Sequence, residues 1–226
     1  MFTKKALKKK TPVSLPAMED NLDISLKQAI SIMQHQIKKY TVYFGVRTIK
    51  NPLDFWIYRE ILFEVKPDVV IEIGNCYGGS TLAIAHILDI LQKGKVIGID
   101  IDQSQVPRVV KKHSRITLIE GDACDSIDKA KKLINKGDKV LIIEDSAHTY
   151  ENTLNVLRTY ACLVSPGSFF IVEDSIIHHG VDEGPNPGPY EAIEEFVKNN
   201  NSFQIDRTKE SFFITHNPKG FLVRIK

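Results

Sequence analysis

Long apolar runs, paired cysteines and charge of one sign are all missing from this 226-residue chain. No stretch approaches the ~20 apolar residues that a helix needs to cross a bilayer. The basic N-terminus is not followed by an apolar segment, so it does not read as a secretory signal. Three cysteines, Cys76, Cys124 and Cys162, stand apart without metal-ligand or redox spacing. Such an odd, scattered set fits a reducing compartment, and the cytoplasm is the expected location. The formal net charge is only +2, and Lys4, Lys5, Lys8, Lys9 and Lys10 carry more than all of it. The remainder is slightly acidic, which argues against a nucleic-acid-binding body. The lysine run reads as a solvated, disordered tail over residues 1–20, with attraction to an anionic lipid or glycolipid surface as the functional alternative.

What is present suits one α/β domain with a modest extension: 42% of residues are hydrophobic and 26% charged, enough to bury a core and stay in solution. After Pro12 and Pro16, a helix is expected where Leu26, Ile30, Met33 and Ile37 recur, with Ser25 and Gln28 as a capping box. A second helix over Leu53–Val65 places Trp56, Ile57 and Ile61 on one face and stops at Pro67. Residues 21–66 thus form a helical cap, and residues 67–226 the main domain.

There the pattern turns to strand, helix, strand. Buried strands are expected at Val69–Ile73, Lys95–Ile99, Ile116–Ile119, Lys139–Ile143 and Phe169–Val172, separated by amphipathic helices, which predicts a doubly wound, mostly parallel sheet. The end differs: a helix near Tyr190–Asn199, then strands at Phe203–Asp206, Phe212–Thr215 and Phe221–Ile225, with Asn217–Gly220 as a turn and at least one strand antiparallel.

Ligands of open α/β sheets bind beyond the carboxyl ends of the strands, and all five strand ends here carry acids. The first runs Glu72-Ile73-Gly74-Asn75-Cys76-Tyr77-Gly78-Gly79-Ser80. The second ends in Asp100 and Asp102, the third in Asp122, the fourth in Glu144 and Asp145, the fifth in Glu173 and Asp174. One or two would be ordinary helix caps; five in a row form a ligand rim.

Gly74 lets the chain turn off the strand, while Gly78 and Gly79 admit a ligand close to the backbone as a helix begins. The spacing is not that of a dinucleotide fingerprint, because Cys76 fills the second glycine position. Glu72 beside the loop repels a pyrophosphate but suits a cationic sulfonium amino acid. Asp100 is placed to accept ribose hydroxyls, and Asp122, with backbone donors at Ala123 and Cys124, to contact an adenine edge. Each of these two acids has a helix cap as its plainer role. Asp145, Glu173 and Asp174 should lie close together, where like charges need a cation between them. All-oxygen donors point to Mg²⁺, with Mn²⁺ or Ca²⁺ as alternatives. His148, one turn beyond Asp145, is a candidate base near neutral pH. His178 and His179 sit in a Gly- and Pro-rich loop, Ile177–Pro189, read as an exposed segment with a lid as the functional alternative.

With these positions set out, the chain resembles the cephalosporin hydroxylase-like family of class I methyltransferases, which is similar to metal-dependent sugar methyltransferases of macrolide and mycobacterial glycolipid pathways. The resemblance begins near Tyr43. It is carried by Phe44-Gly45, Lys50-Asn51-Pro52-Leu53, Glu72-Ile73-Gly74 with Gly78-Gly79-Ser80, and Ile99-Asp100-Ile101-Asp102. It continues through Asp145-Ser146-Ala147-His148-Thr149, Leu163-Val164-Ser165-Pro166-Gly167, Val172-Glu173-Asp174 and Gly188-Pro189. It implies a Rossmann-like seven-stranded sheet and S-adenosylmethionine at Glu72, Gly74, Ser80 and Asp100; Asn75, Tyr77 and Gly78 of the loop, with Asp122, complete the expected cofactor site. It further implies Mg²⁺ at Asp145, Glu173 and Asp174, and His148 as base.

The reaction expected is O-methylation of a small-molecule hydroxyl, a sugar, glycolipid or secondary metabolite, with His148 and Asp145 as catalytic residues. A catechol-like phenol as acceptor, a dinucleotide or nucleotide-sugar enzyme on a similar sheet, and a non-catalytic binding domain are the alternatives. N-terminal helices in related enzymes cover the substrate or join subunits, which leaves room for a homo-oligomer.

Overall fold

The computed structural model describes residues 16–226; the lysine run lies outside them. Helix α1 (Leu26–Tyr40) starts at Ser25 with the expected capping box to Gln28 and buries Ile30, Gln34 and Ile37. A two-residue ribbon follows, β1 (Val42–Tyr43) and β2 (Val46–Arg47), turning through Phe44 and Gly45, both at positive φ, as such tight hairpins require. Helix α2 (Pro52–Val65) is capped by Asn51, carries Pro at its start and ends with Lys66 in the left-handed conformation. Ile57 and Ile61 are buried, but Trp56 is half-exposed, stacked on Arg59 and bonded to Glu60. It does not share their face, because one residue's step on a helix turns the side chain by about 100°.

The sheet contains β3 (Val69–Ile73), β4 (Lys95–Asp100), β5 (Ile116–Glu120), β6 (Val140–Glu144), β7 (Phe169–Val172), β8 (Phe203–Ile205) and β9 (Phe221–Arg224), in the order β5-β4-β3-β6-β7-β9-β8. The first five pair in parallel. Strand β9 slots between β7 and β8, antiparallel to both. Segment Phe212–Thr215 is no strand: Thr215 spends its hydroxyl on Asp54, a site contact in place of a ladder.

Helices cover both faces: α3 (Gly79–Ile90) joins α2 on one, while α6 (Tyr150–Tyr160) and α7 (Pro189–Lys198) cover the other. The other crossovers contain only single turns, α4 (Arg108–Lys111) and α5 (Ile127–Lys131). Period-two alternation decides which face each strand residue meets. Val69, Ile71 and Ile73 pack toward α6; Val70 packs toward α3, and Glu72 follows it, bonded to Thr81 of α3. From β3 the strands are added first toward β5 and then, from β6, toward the other edge; this switch point between β3 and β6 opens a crevice at their carboxyl ends.

Candidate active site

That crevice holds a cavity of about 400 Å³ whose walls include Gly74, Ile99, Asp100, Asp122, Ala123 and Asp145. Asp100 accepts from the backbone N–H of Cys76 at 2.7 Å and of Asp102 at 3.2 Å, so it braces the glycine loop while facing the cavity. Asp122 accepts from Cys124 and Asp125, the capping role, and also lines the wall. Glu72 is fully buried; one carboxylate oxygen takes the Thr81 hydroxyl and the other has no partner in the protein. An unpaired buried carboxylate oxygen is costly unless a donor or cation meets it, and Glu72 is itself not part of the cavity wall.

The loop glycines do different work from one another. Gly74 has φ +85°, and a Cβ there would overlap the backbone carbonyl of Asp145. A Cβ on Gly79 would strike Thr48 and the Arg47 carbonyl, and one on Gly78 would press on Val106 and Val110. At both positions an added Cβ would meet the protein's own chain. Asn75 exchanges two hydrogen bonds with Gln103, so its amide is occupied within the fold. Tyr77 accepts from Arg47 at 2.9 Å beneath that guanidinium. Ser80, buried in the first turn of α3, faces a narrow void of about 30 Å³ that also touches Lys50, Gly74 and Asp145.

At the tips of β6 and β7 the acids converge. Backbone bonds from Asp145 to Ile73 and from Glu173 to Glu144 carry the ladder past the strand ends. His148 and Asp174 then turn at positive φ, 52° and 54°, a conformation that costs energy and recurs at functional sites. Nε2 of His148 lies 3.2 Å from Asp174 and 3.7 Å from Asp145. Asp145, His148 and Asp174 each offer an atom within 4.8 Å of the others. The Asp174 N–H donates to the Asn217 side chain at 3.1 Å, so the turn after Thr215 helps set its position.

Glu173 does not join this trio directly. Its carboxylate and that of Asp145 both bind the buried ammonium of Lys50. Burial opposes a charge on Lys50, but Asp145, Glu173 and Glu72 outweigh it and raise its pKa. Burial raises Asp145 and Glu173 above the usual carboxylate range, and Lys50 pulls both back. The cation that neighbouring acids require is thus partly the protein's own. Lys50 stands at the start of a family-like segment, yet no helix or strand period marks it.

Asp54, Thr215 and His216 form a second buried network escaping sequence reasoning. Asp54 accepts from the Thr215 hydroxyl at 2.5 Å and the His216 N–H at 2.8 Å. Burial pushes its pKa up to about 6 against those bonds. His178 and His179 are exposed, and His179 stacks on Tyr190 at 3.6 Å. Their loop is tied to α1 by Lys27–Asp182 and Lys38–Glu183. No helix among the described residues is long and apolar enough to cross a membrane.

Residues 35–225 match the family described as Rhamnosyl O-methyltransferase/CmcI. The chain belongs to this family. It is 35% identical over 191 residues to the rhamnosyl O-methyltransferase of Mycobacterium tuberculosis (strain ATCC 25618 / H37Rv), covering 81% of this chain and 78% of that protein. It is 30% identical over 190 residues to the Mycobacterium leprae (strain TN) protein of the same name, covering 81% and 83%. The fold matches a solved Mg-SAM structure of CmcI with a TM-score of 0.66 at 23% identity, over 82% of this chain and 77% of that one.

Proposed function

We propose that this protein transfers the methyl group of S-adenosylmethionine to a hydroxyl of a sugar, with Mg²⁺ at the carboxylate rim. The observation that carries the reading is the convergence of Asp145, His148 and Asp174, with Asp145 also in the wall of the cavity that holds Asp100. Membership of a family named for rhamnosyl O-methylation, and relatives of that name, favour a sugar over a phenol. The CmcI structure with Mg and SAM supports the cofactor pair.

When bound, the cofactor supplies an electrophilic methyl group and the metal a positive charge that lowers the pKa of the acceptor hydroxyl. Asp145 and Asp174 would hold the ion as hard oxygen donors, with Glu173 as a third carboxylate once Lys50 releases it. Asp100 and Asp122, on the cavity wall, would hold the ribose and base of the cofactor, and the buried carboxylate of Glu72 would add negative potential behind the loop. Gly74, Asn75, Tyr77, Gly78 and Ser80 shape the loop beside it. Nε2 of His148 accepts the hydroxyl proton, and Asp174 at 3.2 Å stabilises the resulting imidazolium. Helices α1 and α2, with the β1–β2 ribbon, cap the site.

The test is transfer of labelled methyl to methyl α-L-rhamnopyranoside and to catechol, before and after exhaustive chelation. Transfer to the sugar, lost on chelation and restored by Mg²⁺, is expected. Transfer that survives chelation overturns the metal's role, and transfer to catechol alone overturns the acceptor class.

A further inference from the structure

A second void lies on the α1 side of the carboxylate cluster. It measures about 30 Å³, and its walls include Gln34, Asn51, Asp54, Glu173, Asp174 and His216. Among the neutral side chains of this wall, Gln34, Asn51 and His216 are each more than nine-tenths buried, with exposures of 7%, 4% and 7%. Each has a buried polar atom without a hydrogen-bond partner in the protein: Oε1 of Gln34, Nδ2 of Asn51 and Nε2 of His216. Buried polar atoms are seldom left unmatched, because each loses its hydration without return. Three around one void point to a polar guest.

Size and charge narrow that guest. A water needs roughly 10–15 Å³ of such volume, so the void accepts one oxygen and no ring. Three carboxylates, Asp54, Glu173 and Asp174, face one lysine, Lys38, across the wall, and that ammonium is already paired with Glu183, so the balance disfavours an anion. Gln34 Oε1 only accepts and Asn51 Nδ2 only donates, so the matching group must do both, as a neutral hydroxyl does. Nδ1 of His216 faces Asp174 at 3.7 Å, which leaves Nε2 turned away from that carboxylate. Glu173 and Asp174 wall the void and also belong to the reaction site, so a hydroxyl here sits beside the one being methylated.

We infer that Gln34, Asn51 and His216 form a subsite for a second hydroxyl of the acceptor, next to the methylated one, which makes the enzyme selective for vicinal diols. This rests on the sugar methyltransferase reading above.

The experiment compares methyl α-L-rhamnopyranoside with its 2-, 3- and 4-deoxy analogues, using the full chain with S-adenosylmethionine and Mg²⁺. One analogue, lacking the acceptor oxygen, should give no product. One should show a KM raised about tenfold or more with kcat largely kept, as loss of one buried hydrogen bond predicts. The third should behave like the parent. In Gln34→Leu the parent's KM should rise to that of the second analogue and the difference between them vanish. Gln34→Met, closer in volume, serves if the leucine variant does not fold, and S-adenosylhomocysteine binding checks that the cofactor site is intact. If the deoxy sugars that retain the acceptor oxygen match the parent in the wild type, the subsite is overturned while the activity stands. A Gln34 variant that weakens parent and analogue equally overturns it too, since the void would then hold only a structural water. If no rhamnoside is methylated, the sugar reading fails first and takes the subsite with it.

Discussion

The ammonium of Lys50, in the segment joining β2 to α2, is buried against the carboxylate of Asp145 at the tip of β6. The pair links the segment before α2 to the carboxylate cluster at the strand tips. Removing one partner of a buried ion pair typically costs about 3–5 kcal/mol, because the other charge is left without compensation. Lys50→Met should therefore lose about that much stability in chelator, by urea denaturation. Mg²⁺ should restore more stability to the variant than it adds to the wild type, since the ion no longer competes with an ammonium. Equal stabilisation of both by Mg²⁺ would show that Lys50 and the ion do not share the same carboxylates.

His148 and Asp145 differ in what their loss removes. A single positioned base contributes about 10²–10⁴-fold, so His148→Ala should reduce kcat within that range and leave Mg²⁺ affinity near that of the wild type. Asp145→Asn should reduce kcat further and weaken Mg²⁺ binding, as followed by calorimetry. Activity abolished in His148→Ala but intact in Asp145→Asn would invert the two roles.

Asp54 predicts a pH dependence of stability. Its folded pKa of about 6 lies above the 3.8 of a free carboxyl. Between those values the folded chain binds more protons than the unfolded one, so stability falls as pH rises from about 4 to about 6. A shift of that size corresponds to about 3 kcal/mol. Asp54→Asn should flatten that part of the stability profile, whatever it costs at neutral pH through the contacts to Thr215 and His216. An unchanged slope would remove Asp54 as its source.

Gly74→Ala tests the close approach of β3 and β6. The substitution combines a φ of +85° with overlap on the Asp145 carbonyl, so a loss of about 3 kcal/mol or more is expected. Gly167→Ala is the control: its φ is +73° and nothing lies within 4 Å of the added carbon, so only the backbone cost remains. Equal thermal unfolding shifts in the two variants would remove the steric argument.

Asp100→Asn should weaken S-adenosylmethionine binding and spare Mg²⁺ binding, measured by titration of each alone. Its side chain touches the loop at Cys76 and lies on the cavity wall, not within the acid cluster. Loss of both affinities together would place Asp100 in the ion's surroundings.

Much of this was legible along the chain. Short apolar runs ending in acids marked the strands and their functional ends, because a parallel sheet must bury both faces while its carboxyl ends meet solvent and ligand. Ser25 and Gln28 announced a helix start through local chemistry alone. Phe212–Thr215 misled, since its apolar character serves a loop whose hydroxyl and amide reach Asp54. Trp56 misled because a hydrophobic residue is not bound to be buried.

Local spacing determines periodicity, caps and the run of acids, and these suffice for the fold and for the family resemblance. Where a side chain's partner lies dozens of residues away, only the folded chain decides. Lys50 meets Asp145 and Glu173 across 95 and 123 positions, and Gln34 meets His216 at one small void. Ion pairing and burial depend on distance and solvent exclusion in space, and neither quantity is written in the order of residues.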